Sequence, residues 1–223
     1  MSRAGAPFAA HPYGAVAAVY DELAALYSLG AIERSKRAGL EALVAGERVL
    51  FVGVGRGSDA VLAARRGMAV TAVDLAPAML ARFREALARE GLTAETILGD
   101  VADHRPAEPY DAVVAHYFLN LWDAPLVGAM LAHLRGLLRP GGRLVVADFA
   151  RPAGGLLAHW IANAYYRPID WIAWALGLCA LHPILDYGAL LPAAGFRVVG
   201  ERRFPVLLGR DPAYVSIVAE RID

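Results

Sequence analysis

Three glycines at alternate positions, Gly53, Gly55 and Gly57, follow the apolar run Val49-Leu50-Phe51-Val52. Without a Cβ, such a loop lets the backbone approach a ligand closely. A helix that starts after it aims free N–H groups at that ligand. A plain structural turn is the alternative. A dinucleotide loop reads G-x-G-x-x-G and would put its third small residue at Ser58, to cradle a pyrophosphate. The spacing here is G-x-G-x-G, which suits a bulky nucleoside without one. Asp74 ends the next apolar run, where a carboxylate can accept both hydroxyl protons of a ribose. Capping the helix from Ala76 onward is its alternative role. Asp100 follows Gly99 and is placed to accept the exocyclic amine of an adenine, with Val101 packing on the ring. An ordinary loop aspartate is the alternative there.

These residues need strands that end side by side. Arg48 to Val52, Ala69 to Val73, Ala94 to Leu98, Tyr110 to Ala115 and Arg143 to Ala147 are short apolar runs that read as buried parallel strands. Helical periodicity separates them at Ser58 to Arg66, Ala76 to Glu90 and Ala124 to Leu138. Arg139-Pro140-Gly141-Gly142 reads as a tight turn. Two further strands, Val198 to Phe204 and Tyr214 to Ala219, are expected to form an antiparallel pair. The fold class is therefore α/β: a Rossmann-like, mostly parallel seven-stranded sheet with helices on both faces. Ligands bind such sheets at the carboxyl ends of the strands. The expected organisation is one domain over 1–223. It divides into an N-terminal helical lid (1–45, with a second helix from Ile32 to Leu43), a core (46–150), a helical cap (151–194) and the strand pair (195–223).

The segments VLFVGVGRG, TAVDLAPAML, ILGD, YDAVVAHYFLN, LLRPGGRLVVADF and AAGFRVV occur in that order between residues 49 and 199. As a set they resemble the class I S-adenosylmethionine-dependent methyltransferases. The lead-in YDELAALYSLGAIERSKR is similar to that of the ubiquinone/menaquinone C-methyltransferase group, and the phospholipid N-methyltransferases share a related layout. The resemblance implies S-adenosylmethionine as cofactor. Gly53, Gly55 and Gly57 would then line its methionine and ribose parts, and Asp74 would hold the ribose. Leu75 and Met79 would flank the adenine, Asp100 and Val101 would grip it, and His116 and Tyr117 would face the methionine end. The chain departs from the family at Phe51, where many members carry an acid that orients the loop.

Methyl transfer is an in-line displacement that releases a neutral thioether, so proximity and orientation are the enzyme's main contribution. A phenol, enol or acidic carbon acceptor would also need a base. His116 is the candidate base by motif order, with a buried structural histidine as its alternative. Asp148 is a candidate to contact the acceptor, with a solvent-exposed sheet-edge acid as its alternative. Tyr13, Tyr20, Tyr117, Trp160, Tyr165 and Tyr166 are candidates to line a substrate pocket, although plain packing also explains each tyrosine. The apolar stretches Leu156 to Tyr166 and Ile169 to Pro183 fit core packing, a pocket for a lipophilic acceptor, or a patch lying on a membrane.

Bulk properties narrow the class. Hydrophobic residues make up 57 % of the 223, enough for a sizeable core. The 22 basic and 22 acidic residues balance, so no basic excess points to nucleic acid. One cysteine, Cys179, allows no internal disulfide and fits a reducing cytosol. No signal-peptide core and no apolar run long enough to span a bilayer is seen, so a cytoplasmic protein is expected, with contact at a membrane surface as an extension. The six histidines lack metal-ligand spacing, and no metal is expected. The expected partner is a small-molecule acceptor, and the expected state a monomer or homodimer. Transfer of another group from the same cofactor, a non-enzymatic cofactor-binding module and a nicotinamide-dependent reductase are the competing readings.

Overall fold

A computed structural model describes residues 28–122, 124–151, 184–205 and 213–222. Strands β1 (Arg48–Val52), β2 (Ala69–Asp74), β3 (Glu95–Leu98), β4 (Tyr110–His116), β5 (Leu138–Phe149), β6 (Phe196–Phe204) and β7 (Tyr214–Arg221) form one sheet in the order β3-β2-β1-β4-β5-β7-β6. The first five run parallel, and β7 runs antiparallel between β5 and β6. The apolar runs of β1 and β4 are continuous because both faces of these central strands are covered.

Side chains alternate between two cores. Val49, Phe51, Val70, Ala72, Val114 and Val145 face α1 (Ala31–Leu40), α2 (Ser58–Arg65) and α3 (Pro77–Arg89). Leu50, Val52, Val113, Leu144 and Val146 face α4 (Ala124–Leu137) and α5 (Tyr187–Ala193). The link from β3 to β4 carries one short 3₁₀ turn, Val101–Asp103, and a second, Leu119–Leu121, follows β4.

The expected strands are present within a few residues, and the C-terminal pair is antiparallel as read. The tight turn expected at Arg139-Pro140-Gly141-Gly142 is corrected. These residues lie within β5 as an irregularity in its ladder: Tyr110 pairs with Leu138, and the next partners are Ala112 and Arg143. Gly141 tolerates the required φ of +69°, and Pro140 has no N–H to place in a ladder. Residues 1–27 of the expected lid and 152–183 of the expected cap lie outside the described residues. Among the described residues, no helix is long and apolar enough to cross a membrane.

Candidate functional site

Strand order reverses between β1 and β4, because β1 is followed in sequence by β2 on one side while β4 lies on the other. In an open α/β sheet the loops leaving the carboxyl ends of two such strands diverge, and the crevice between them is the usual ligand position. The glycine loop forms one wall. Gly53, Gly55 and Gly57 have φ of +68°, +53° and +74°, a region that only glycine visits without strain. At Gly57 a second constraint applies, since a Cβ would lie 2.4 Å from Phe83 Cδ2. That close approach lets α3 pack against the start of α2. A Cβ on Gly55 would meet nothing within 4 Å among the described residues.

Asp74, the last residue of β2, faces this loop. Its Oδ2 accepts a long bond of 3.4 Å from the Gly55 N–H, and its Oδ1 accepts the Ala76 N–H at 2.8 Å. Asp74 is not the helix cap of the alternative reading, since Ala76 is the N-cap of α3 and no side chain caps it. The carboxylate holds the turn before the helix and lies beside the glycine loop. Burial raises its pKa, against the opposing effect of N–H groups from Ala76, Gly55, Val54 and Leu75. Leu75 beside it is an open apolar side chain, 60 % exposed. Asp100 lies exposed one strand further out and turns its Oδ1 onto the Ala102 N–H at 2.9 Å. Met79 and Val101 are buried for the most part, Met79 in the core under α3 and Val101 in the core under α4.

The other wall is the end of β4. Tyr117 has φ of +52°, a left-handed conformation that costs an aromatic residue on the order of 1–2 kcal/mol. The ladder continues through it, because its N–H reaches the Ala147 carbonyl at 2.7 Å. Its hydroxyl shares a 2.9 Å bond with Ser35 on α1, and its ring packs edge-on against Phe149 and Tyr214. Tyr117 therefore fastens α1 to this edge. Phe118, which the sequence reading passed over, lies against Gly53 and edge-on to Trp122 at 4.7 Å. It gives the crevice an aromatic side next to the glycine loop.

His116 does not stand free as a base. It is buried on the α1 face, with Nδ1 2.6 Å from Oδ2 of Asp59 in the first turn of α2. Its Nε2 is buried without a hydrogen-bond partner and lies near the backbone of Gly39 in α1. The expected base role is corrected on this geometry: one nitrogen is engaged and the other faces the core. Burial by itself would raise the Asp59 carboxyl. The Lys36 ammonium and the His116 hydrogen bond and charge outweigh it and hold the group well below the usual carboxylate range.

Asp148 sits on the opposite face of the sheet, at the end of β5. It is not the solvent-exposed acid considered as the alternative, being only 1 % exposed. Tyr187 OH donates to its Oδ2, the Phe149 N–H donates to its Oδ1 at 2.7 Å, and the Asn120 side chain donates as well. Burial nevertheless pushes its pKa up to about 7. The Asn120 Oδ1 remains buried without a partner. Asp59, Asn120 and Tyr187 carried no sequence signal, because their partners lie far along the chain.

Tyr13, Tyr20, Trp160, Tyr165 and Tyr166 lie outside the described residues. Among the described residues, no group of three or more His, Cys, Asp or Glu side chains is arranged to hold a metal ion.

Comparison with known proteins fits this geometry. Residues 49–142 match the methyltransferase domain family. The chain is 33 % identical over 143 residues to the demethylmenaquinone methyltransferase of Tropheryma whipplei (strain Twist), covering 63 % of this chain and 58 % of that protein. It is 34 % identical over 163 residues to the phosphatidylethanolamine N-methyltransferase of Cereibacter sphaeroides, covering 70 % of this chain and 75 % of that one. The match thus spans a little over half of the first relative and three quarters of the second. In structure it is similar to the N-methyltransferase NodS of Bradyrhizobium japonicum WM9 in complex with S-adenosyl-L-homocysteine. That likeness has a TM-score of 0.59 and 14 % identity, covers 88 % of each chain, and speaks for the fold. A glycine loop after β1 and a strand-end carboxylate at Asp74 suit an adenosyl ligand, and with these likenesses they establish that the chain belongs to the class I S-adenosylmethionine-dependent methyltransferases.

Proposed function

We propose that the protein transfers the methyl group of S-adenosylmethionine to a small apolar or aromatic acceptor that is quinone-, phenol- or lipid-like. The observation that carries this reading is the row of groups along one sheet edge. Asp100 after β3, Asp74 on β2, the glycine loop after β1 and the aromatic Phe118 after β4 follow one another in strand order. Asp100 would take the adenine amine, Asp74 the ribose hydroxyls, and Leu75 one face of the base. The glycine loop after β1 and the residues after β4 would then be left to hold the methionyl arm. The cofactor supplies an activated methyl on a sulfonium, and the protein supplies alignment. The acceptor class rests on the aromatic side of the crevice and on the names of the two relatives above. A lipid-like acceptor would be met at a membrane surface.

Asp148 remains a candidate to contact the acceptor, and burial pushes its carboxyl up to about 7. At 1 % exposure and with both oxygens hydrogen-bonded it is no freer than His116, and neither is assigned as the base. Asn120 and Tyr187 orient the Asp148 carboxyl.

Calorimetry with S-adenosylhomocysteine, followed by methyl-labelled S-adenosylmethionine with a prenylated naphthoquinol, a catechol or phosphatidylethanolamine vesicles, tests the reading. Binding together with label in one of these acceptors is expected. Asp74→Ala should weaken S-adenosylhomocysteine binding by roughly 2–4 kcal/mol, as loss of charge-assisted hydrogen bonds implies. Binding without labelling of any of the three would overturn the acceptor class. No binding at all would overturn the whole reading.

A further inference from the structure

We propose that Asp59 and His116 are a positioning pair for the methionyl arm of the cofactor, fixing the glycine loop against the end of β4. The proposal rests on the cofactor reading above and adds residues that reading does not use.

The loop from Gly53 to Gly57 contains three residues in the left-handed region and is flexible by composition. Its first end is held by the sheet, where the Gly53 N–H donates to the Val73 carbonyl at 2.9 Å. Its second end runs into the first turn of α2. There the Asp59 carboxylate accepts the Ala60 N–H at 3.1 Å and the His116 Nδ1–H at 2.6 Å. This bond joins the start of α2 to the last residue of β4, across the strand-order reversal. Both partners are over nine-tenths buried, and an acceptor-only carboxylate fixes the tautomer by requiring the proton on Nδ1.

The placement says which part of the cofactor is served. Adenine at Asp100 and ribose at Asp74 belong to β3 and β2. What remains of the molecule, its amino-acid arm, must pass over β1 and β4, the two strands whose loops the pair holds together. The pair lies on the α1 face, where Lys36 adds positive charge beside Asp59. The His116 Nε2 is buried and turned toward Gly39, away from the strand ends.

Two ligands separate this role from general support of the fold. S-adenosylhomocysteine has the amino-acid arm, whereas 5′-methylthioadenosine has the same nucleoside and sulfur without it. Calorimetric titration of both into the full chain gives the ratio of their affinities. Asp59→Asn keeps the shape and removes the charge. It should weaken S-adenosylhomocysteine about tenfold or more and 5′-methylthioadenosine less than about twofold. His116→Ala should behave alike. His116→Asn places an amide N–H where Nδ1 stood and should recover S-adenosylhomocysteine binding to within about threefold of the wild type. Equal weakening of both ligands would overturn the proposal in favour of loosened packing. It also fails if neither ligand weakens, or if His116→Asn is as poor as His116→Ala. Wild-type protein that binds neither ligand would overturn the cofactor reading itself, before any variant is compared.

Discussion

Two buried carboxylates stand at the same edge of the sheet on opposite faces, and their environments push them in opposite directions. Asp59, on the face of α1 and α2, meets His116 and the Lys36 ammonium and is held well below the ordinary carboxylate range. Asp148, on the face of α4 and α5, meets neutral donors among the described residues, Tyr187, Asn120 and a backbone N–H, and is raised to about 7 by burial. Both are shielded from water, so depth alone does not separate them. The sign is set by whether a cation lies within reach. One face thereby holds a permanent anion suited to fixing structure, and the other a carboxyl that changes state near neutral pH.

The contrast can be broken most forcefully at Asp59. Asp59→Ala leaves the His116 Nδ1 proton without an acceptor in the core. It should cost roughly 3–5 kcal/mol of stability in denaturant unfolding at pH 7, the usual result of breaking a buried pair. A cost under about 1 kcal/mol would show that the pair is not closed in solution.

The pH dependence should differ in sign and window. The native Asp148 binds a proton that the unfolded chain has already released between its ordinary 3.8 and about 7. Its contribution is therefore full below about pH 4 and is lost as pH rises to 7, on the order of 4 kcal/mol in all. Asp59, shifted the other way, contributes above its ordinary value of 3.8 and loses that contribution as pH falls below it. Unfolding of wild type and Asp148→Asn from pH 4 to 8 should show a difference that grows in favour of the variant as pH rises. A flat difference would mean that Asp148 titrates normally.

A smaller effect is expected at Tyr187. Tyr187→Phe removes one donor from a buried carboxyl and should cost about 1–3 kcal/mol, while moving the Asp148 transition to still higher pH. A downward move of that transition would contradict the assigned donor. Smallest of all, Arg202→Ala breaks the exposed pair with Glu41 and should change stability by less than about 1 kcal/mol. A larger loss there would mean that the surface, and not the two interior acids, dominates the electrostatics.

The readable and unreadable parts of the sequence divide along the same line. The glycine spacing, Asp74 and Asp100 were legible because each sits at the end of an apolar run, and strand ends in this topology share one edge. The antiparallel pair was legible from Gly209 and Pro212 between two apolar stretches. The partner of His116 was not legible, because Asp59 lies 57 residues earlier and meets it only through the docking of α2. Tyr187 lies 39 residues from Asp148 and reaches it from α5. The β5 irregularity escaped because Pro-Gly-Gly reads locally as a turn, and only the neighbouring ladder of β4 makes it part of a strand.

The intercalation of β7 has a consequence for how this molecule can diversify. Tyr214 pairs with both Phe149 and Phe204, so the chain that leaves β6 at Phe204 must return to the carboxyl edge at the end of β5. The stretch after Arg151 sets out from that same spot. Two connections distant in sequence are thus anchored at one place on the rim, while the groups proposed for the nucleoside belong to β1, β2 and β3. Either connection can lengthen, shorten or change composition with every rung of the ladder intact. Descendants of such a scaffold can vary at this corner of the rim while inheriting the strand ends of β1, β2 and β3 unaltered.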